Sequence, residues 1–121
     1  MSHQNNKAFA QELEKRTLSF SVAILHLSAM LPRTEEARVL RTQLSKSATS
    51  IGANYREANR ARSKADFRSR MGICQAEASE TRYWLEIIRE MGWLPGNTME
   101  TVYQESTELL ALFSAIGKRL A

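Results

Sequence analysis

Three short breaks divide this chain into four segments of nearly equal length, and each segment carries apolar residues at three- and four-residue steps. The breaks are Pro32-Arg33-Thr34, the stretch Arg60-Ala61-Arg62-Ser63, and Gly92-Trp93-Leu94-Pro95-Gly96-Asn97. The stripes are Phe9, Leu13, Phe20, Ile24, Leu27 and Leu31; then Leu40, Leu44, Ile51, Tyr55 and Ala58. They continue with Phe67, Met71, Cys74, Ala78, Leu85 and Ile88, and end with Val102, Leu109, Phe113, Ile116 and Leu120. Such spacing gathers apolar side chains on one face of an α-helix. With only five Gly and two Pro in 121 residues, the chain lacks the turn formers of a β-sandwich or barrel. Short connections between long helices join antiparallel neighbours. The expected fold is therefore all-α: an antiparallel up-down-up-down four-helix bundle in one domain spanning 1–121, with helices over about 7–31, 35–62, 64–91 and 98–120.

The residues at the breaks agree. Thr34 suits an N-cap, and Glu35 and Glu36 then sit where the helix dipole favours negative charge. Ser63 with Asp66, and Asn97 with Glu100, have capping-box spacing. Gly92 stands where a helix ends in a left-handed residue. Gly52 is unusual, because it falls in mid-helix, where Gly costs about 1 kcal/mol relative to Ala. Small residues surround it: Ser45, Ser47, Ala48, Ser50 and Ala53. Either another helix approaches closely there or the helix kinks, and close approach is the favoured reading. A second apolar row runs beside the core stripe, with Leu18, Val22 and Leu25 on the first helix and Leu110 and Leu112 on the fourth. Tyr83 and Trp84 widen the third helix in the same way. Apolar width beyond what a lone bundle buries is what a subunit interface uses. Trp93 and Leu94 would fold over the bundle end or enter a neighbouring subunit.

The run Gln43-Leu44-Ser45-Lys46-Ser47-Ala48-Thr49-Ser50-Ile51-Gly52-Ala53-Asn54-Tyr55-Arg56-Glu57-Ala58 carries a resemblance, together with Arg60, Asp66-Phe67, Glu80 and Leu85. It resembles a bacterial four-helix-bundle family named for proteins encoded in intervening sequences of large-subunit ribosomal RNA genes. The likeness extends from about Phe9 to Leu120 and departs from the family's pattern at Gly52-Ala53, at Glu57-Ala58-Asn59 and over Gly72–Glu77. The resemblance implies a ring-shaped homopentamer and a basic surface for nucleic acid. A related branch, the accessory proteins of diversity-generating retroelements, works with a reverse transcriptase and its template RNA.

Charge is unevenly spread. The chain holds 17 Lys and Arg against 13 Asp and Glu, a net +4. Residues 33–70 contain ten basic and four acidic residues, whereas 71–121 contain four basic and seven acidic. Six of the bases, Arg56, Arg60, Arg62, Lys64, Arg68 and Arg70, cluster around the turn between the second and third helices. Arg predominates, and its planar fork suits phosphate. Arg68, Arg82 and Arg89 also follow a seven-residue spacing, with Gln75 between. Phe67, the one aromatic residue within the cluster, is assigned to the core, which favours backbone contact over base stacking. The competing reading is a solvated helix end with internal ion pairs, Arg56 or Arg60 with Glu57 or Asp66. Asn54, Glu57, Asp66 and Glu80 are read as structural, with Asn54 bonding across helices and Asp66 partnering Ser63.

Catalytic constellations are absent from the pattern. The two His residues, His3 and His26, lie far apart in sequence, and no Glu-x-x-His pair or Cys-x-x-Cys occurs. Cys74 lies on an apolar stripe and reads as a small core residue. No enzyme activity, cofactor or metal is expected. With no signal core in MSHQNNKAFA and no long apolar run, a cytoplasmic protein without membrane contact is expected. The function expected is a self-assembling, non-enzymatic scaffold that binds the RNA or DNA backbone through the Arg-rich cluster. The alternative is an interaction module docking an acidic protein.

Overall fold

A computed structural model describes the backbone of residues 3–120, and side chains from 6 to 119. It holds four helices, α1 (His3–Ala29), α2 (Glu35–Ala58), α3 (Lys64–Met91) and α4 (Gly96–Leu120), with no strand among the described residues. No helix there is long and apolar enough to cross a membrane. The side chains of His3 and Leu120 lie outside the described residues.

Local chemistry sets the ends. The Thr34 hydroxyl accepts the Ala37 N–H at 3.2 Å, and Ser63 Oγ accepts the Asp66 N–H at 3.0 Å. Gly92 closes α3 in the left-handed region at φ 67°, where a side chain would be strained. Four boundaries differ from expectation: α1 runs over His3–Ala29 in place of 7–31, and the end of α2 and the start of α4 also shift. α2 stops at Ala58 because its last turn tightens, with Arg60 N–H bonding Glu57 O and Ala61 N–H bonding Ala58 O at 3.1 and 3.0 Å. α4 opens at Gly96, and Asn97 Oδ1 accepts the adjacent Thr98 N–H at 2.9 Å in place of a capping box with Glu100.

α2 packs on α1 and α3, α3 on α4, and α4 closes back on α1 more loosely. α1 and α3 stand diagonally across the bundle, as α2 and α4 do, so their outer faces point away from each other. The expected stripes form one core in which Ile24, Leu44, Leu85, Ile88, Leu109 and Phe113 are fully buried. Phe113 meets Tyr55 edge-on, with centroids 5.8 Å apart. Phe9 is the exception, exposed near the start of α1, where it borders an open depression with Leu112 of α4. Leu110, Leu112, Trp93 and Leu94 are half-buried against the core.

The small-residue run on α2 has a direct use. Its edge toward α1 presents Ser45, Ala48 and Gly52. Ser28 and Ser45 hydroxyls meet at 3.1 Å, Ser21 Oγ donates to Ala48 O at 3.4 Å, and Gly52 faces Thr17. A Cβ on Gly52 would lie 3.0 Å from Thr17 Oγ1 and 3.2 Å from its Cβ. Its edge toward α3 presents Ser47, which accepts from buried Thr81 Oγ1 at 2.8 Å, and the Ile51 carbonyl, which accepts from Cys74 Sγ at 3.7 Å. Every polar group named here has a partner, so close packing leaves none stranded.

Arg16 on α1 holds the looser α1/α4 seam. Its guanidinium donates twice to Glu105, both at 2.7 Å, and once to Glu108 at 2.8 Å. These bonds, the first to Glu105 foremost, raise the Arg16 pKa further above its ordinary value.

Two predictions follow from this packing. Thr17 is fully buried and its hydroxyl is tied to the Leu13 and Glu14 carbonyls, so it cannot yield to a new methyl. Gly52→Ala should therefore destabilise the chain, the overpacking of about 1–3 kcal/mol outweighing the gain in helix propensity of about 1 kcal/mol. In a double-mutant cycle read by urea denaturation, Thr17→Ala should cost less beside Gly52→Ala than alone. Additive effects would contradict the contact. Burial pushes the Cys74 thiol up to about 12, against an unfolded value near ~8.5. The neutral thiol thus adds stability below about pH 8.5 that is lost as pH rises toward 12. Burial also raises Tyr55, with the same sign. The alkaline fall in the urea midpoint should be shallower, not absent, in Cys74→Ala; matching slopes would rule out the thiol's part.

Candidate nucleic-acid interface

The fold sorts the six clustered cations into two groups. Arg62, Lys64 and Arg68 line an open cavity of about 520 Å³ at the α2/α3 turn, with Ala61, Ser63 and Phe67. The fifth charged or polar contributor comes from the far end of the chain: Arg119, in the last turn of α4, lines the same cavity. Its neighbour Lys118 lines a second groove of about 370 Å³ along the α3/α4 seam, bounded also by Arg68, Gly72, Gln75 and Ser114. Arg68 thus belongs to both. No acidic side chain lines either one. Arg62, Lys64, Arg68, Lys118 and Arg119 make no ion pair within 4.0 Å among the described residues.

The other three stand apart. Arg56 faces α1, with Nε 3.9 Å from Glu14, whose other oxygen accepts from Asn59 Nδ2 at 2.8 Å. Arg70 turns back to Asp66 at 3.8 Å. Arg60 lies beyond the end of α2, exposed, and so does not continue the helical face of Arg56. Glu57 has no ion pair within 4.0 Å among the described residues, so the internal pairs that form are Arg56 with Glu14 and Arg70 with Asp66.

The seven-residue Arg row divides as well. Arg82 and Arg89 lie over the Tyr103 ring of α4, at 5.1 and 4.4 Å from its centroid. Tyr103 donates to Glu86 at 2.9 Å, and Arg89 pairs with Glu100 at 3.6 Å. Gln75 donates to Ser114 at 3.3 Å. This row is the α3/α4 packing seam. Asn54 donates to Ser50 O and Oγ at 2.9 and 2.8 Å, within its own helix and not across to another.

Lys118 and Arg119 were hidden in a segment whose net charge is negative. Their only signal was topological, because a fourth helix returning along the bundle brings its end to the α2/α3 turn. Phe67 was the other miss. It packs on the core yet stays half-buried, lining the cavity between the cations.

Away from this end, two exposed apolar stripes face outward. Leu18, Val22 and Leu25 on α1 are each about half exposed. On α3, Ile73, Tyr83 and Met91 are exposed, with Ile87 half-buried between them and Glu80 amid the row. Trp84 packs against the core with its Nε1 buried and unbonded. Among the described residues no group of three His, Cys, Asp or Glu side chains could hold a metal ion.

An all-α, four-helix protein with one unpaired basic end is the class these features define. A family model described as 23S rRNA-intervening sequence protein matches residues 10–115, and the chain belongs to that family. It is also similar to a crystal structure from Bacteroides thetaiotaomicron VPI-5482, described as a protein with unknown function from the S23 ribosomal protein family. That likeness has 36% identity and a TM-score of 0.82, covering 90% of this chain and 97% of the other. No curated protein matches.

Proposed function

We propose that this chain is an antiparallel up-down-up-down bundle that assembles as a ring-shaped homopentamer and binds the backbone of RNA or DNA at its basic end, without catalysis. The observation that carries the nucleic-acid reading is the convergence of Arg62, Lys64, Arg68, Lys118 and Arg119, from three parts of the chain, on adjoining cavities with no acid in their lining. A solvated structural end would pair these cations, as Arg56 and Arg70 are paired. Unpaired Arg and Lys along a groove suit phosphates, and such contacts release counterions, so binding weakens steeply with salt.

The assembly reading rests on the α1 and α3 stripes, which lie on opposite sides of the bundle. Two different patches that meet head to tail generate a ring when the rotation closes. Five basic ends in one particle would raise avidity for a polyanion. Thr17 with Gly52 and Ser28 with Ser45, Ser47 with Thr81 and Ile51 with Cys74, and Gln75 with Ser114 and Glu86 with Tyr103 are pairs in which numbers rise on one helix as they fall on the next, and they support the antiparallel arrangement.

Two experiments test this. Arg62→Glu with Arg68→Glu should abolish binding to a fluorescent RNA hairpin at low salt while leaving helicity and particle mass unchanged. Undiminished binding would exclude this site, and hairpin binding by neither protein would shift the basic end to an acidic protein partner. Val22→Asp, on the exposed α1 stripe, should reduce a pentamer to monomers in light scattering coupled to size exclusion, with melting of the protomer little changed. A wild-type mass of one protomer would refute the assembly.

A further inference from the structure

The cavity at the α2/α3 turn has one wall that phosphate binding does not need. Phe67 is an aromatic ring held half-buried, lining the cavity while Arg62, Lys64, Arg68 and Arg119 stand around it. Phosphates bind cations and backbone N–H groups and gain nothing from an apolar surface. A nucleotide has both kinds of surface, a phosphate for the guanidinium forks and a flat base for the ring. The volume of about 520 Å³ lies within the ~300–1,000 Å³ of small-ligand sites. The adjoining groove adds a direction. From Arg68, shared by both, it runs between Gly72 and Lys118, which flank it from α3 and α4, toward Gln75 and Ser114; a Cβ on Gly72 would meet nothing within 4 Å.

We infer that the basic end seats an unpaired end of a nucleic-acid strand, its terminal base against Phe67 and its following phosphates on Arg68 and Lys118. A free nucleoside triphosphate shares the chemistry but would leave the Lys118 groove unused, so a strand end is the better fit. The inference rests on the nucleic-acid reading above and adds to it a preference for single-stranded termini.

The test uses the full chain at low salt with two RNA hairpins, one blunt and one extended by a few unpaired nucleotides ending in 2-aminopurine. The extended hairpin should bind about tenfold tighter, which is within the range one stacked base contributes, and its 2-aminopurine emission should be quenched on binding. Phe67→Leu, which keeps an apolar side chain in the core, should remove the advantage and the quenching. Arg119→Glu, at an exposed position, should weaken the extended hairpin more than the blunt one. Equal affinities with unquenched emission would overturn the inference and leave backbone binding standing. Displacement of the extended hairpin by ATP at concentrations near the hairpin's own Kd would assign the cavity to free nucleotides and overturn the strand-end assignment. Binding of neither hairpin would remove the underlying reading, and the inference with it.

Discussion

The close approach of α2 to its two neighbours is the constraint on which this fold depends. A helix reaches another at short distance only where side chains on the contact are small. α2 meets that condition on two edges at once, with Ser45, Ala48 and Gly52 toward α1 and Ser47 toward α3. Hydroxyls are the cost-free choice there, because each finds a partner across the seam or on its own helix, so the tight edges carry no unsatisfied donor. Once α1, α2 and α3 are fixed, α4 completes the core with Leu109 and Phe113 and meets α1 through longer side chains. That seam is open enough to need Arg16 as a strap to Glu105 and Glu108. The motif that marks the family in sequence is therefore the packing edge of one helix, and it says little about what the protein binds.

The proposed binding site lies instead at the end where α2 stops and α4 returns. The tightened turn at Arg60 and Ala61 frees Arg62 from the helix and sets it beside Lys64. The charge separation along the bundle has the same origin. Glu86, Glu100, Glu105 and Glu108 are engaged with Tyr103, Arg89 and Arg16, away from the turn, where Asp66 pairs with Arg70. The positive potential of the other cations at the turn is thus little compensated.

Much of the fold was legible in the sequence because its signals are local. Thr34, Ser63 and Gly92 act within one helical turn, and the apolar spacing identifies the core face of each helix with few exceptions. The exceptions arise from tertiary context. Phe9 follows the α1 stripe but stays exposed beside an open depression, and Thr17, Thr81 and Ser106 enter the core although their side chains are polar. The candidate site was half legible. A cluster in sequence, Arg56 to Arg70, is not a cluster in space, since residues on a helix separate around its circumference and half of these turn toward Glu14, Asp66 or solvent. The converse also holds, because Arg119 joins the site from 51 positions beyond Arg68, which no local pattern records.

The placement of the cations also runs against the helix dipoles in one respect. Lys118 and Arg119 close α4, and Arg56 closes α2, where the negative pole of a helix welcomes positive charge. Lys64 and Arg68, with Arg62 just before them, crowd the start of α3, the positive pole, where Asp66 is the one acid of the first turn. Folding alone would favour acids at those positions, as Glu35 and Glu36 open α2. An arrangement that concentrates repulsion at one helix start, where α2 places Glu35 and Glu36, is a local conflict that stability does not explain and that a bound anion would relieve. The same dipole that makes the cations unfavourable in isolation adds to their attraction for a phosphate, so under the proposed function the ligand would offset the conflict.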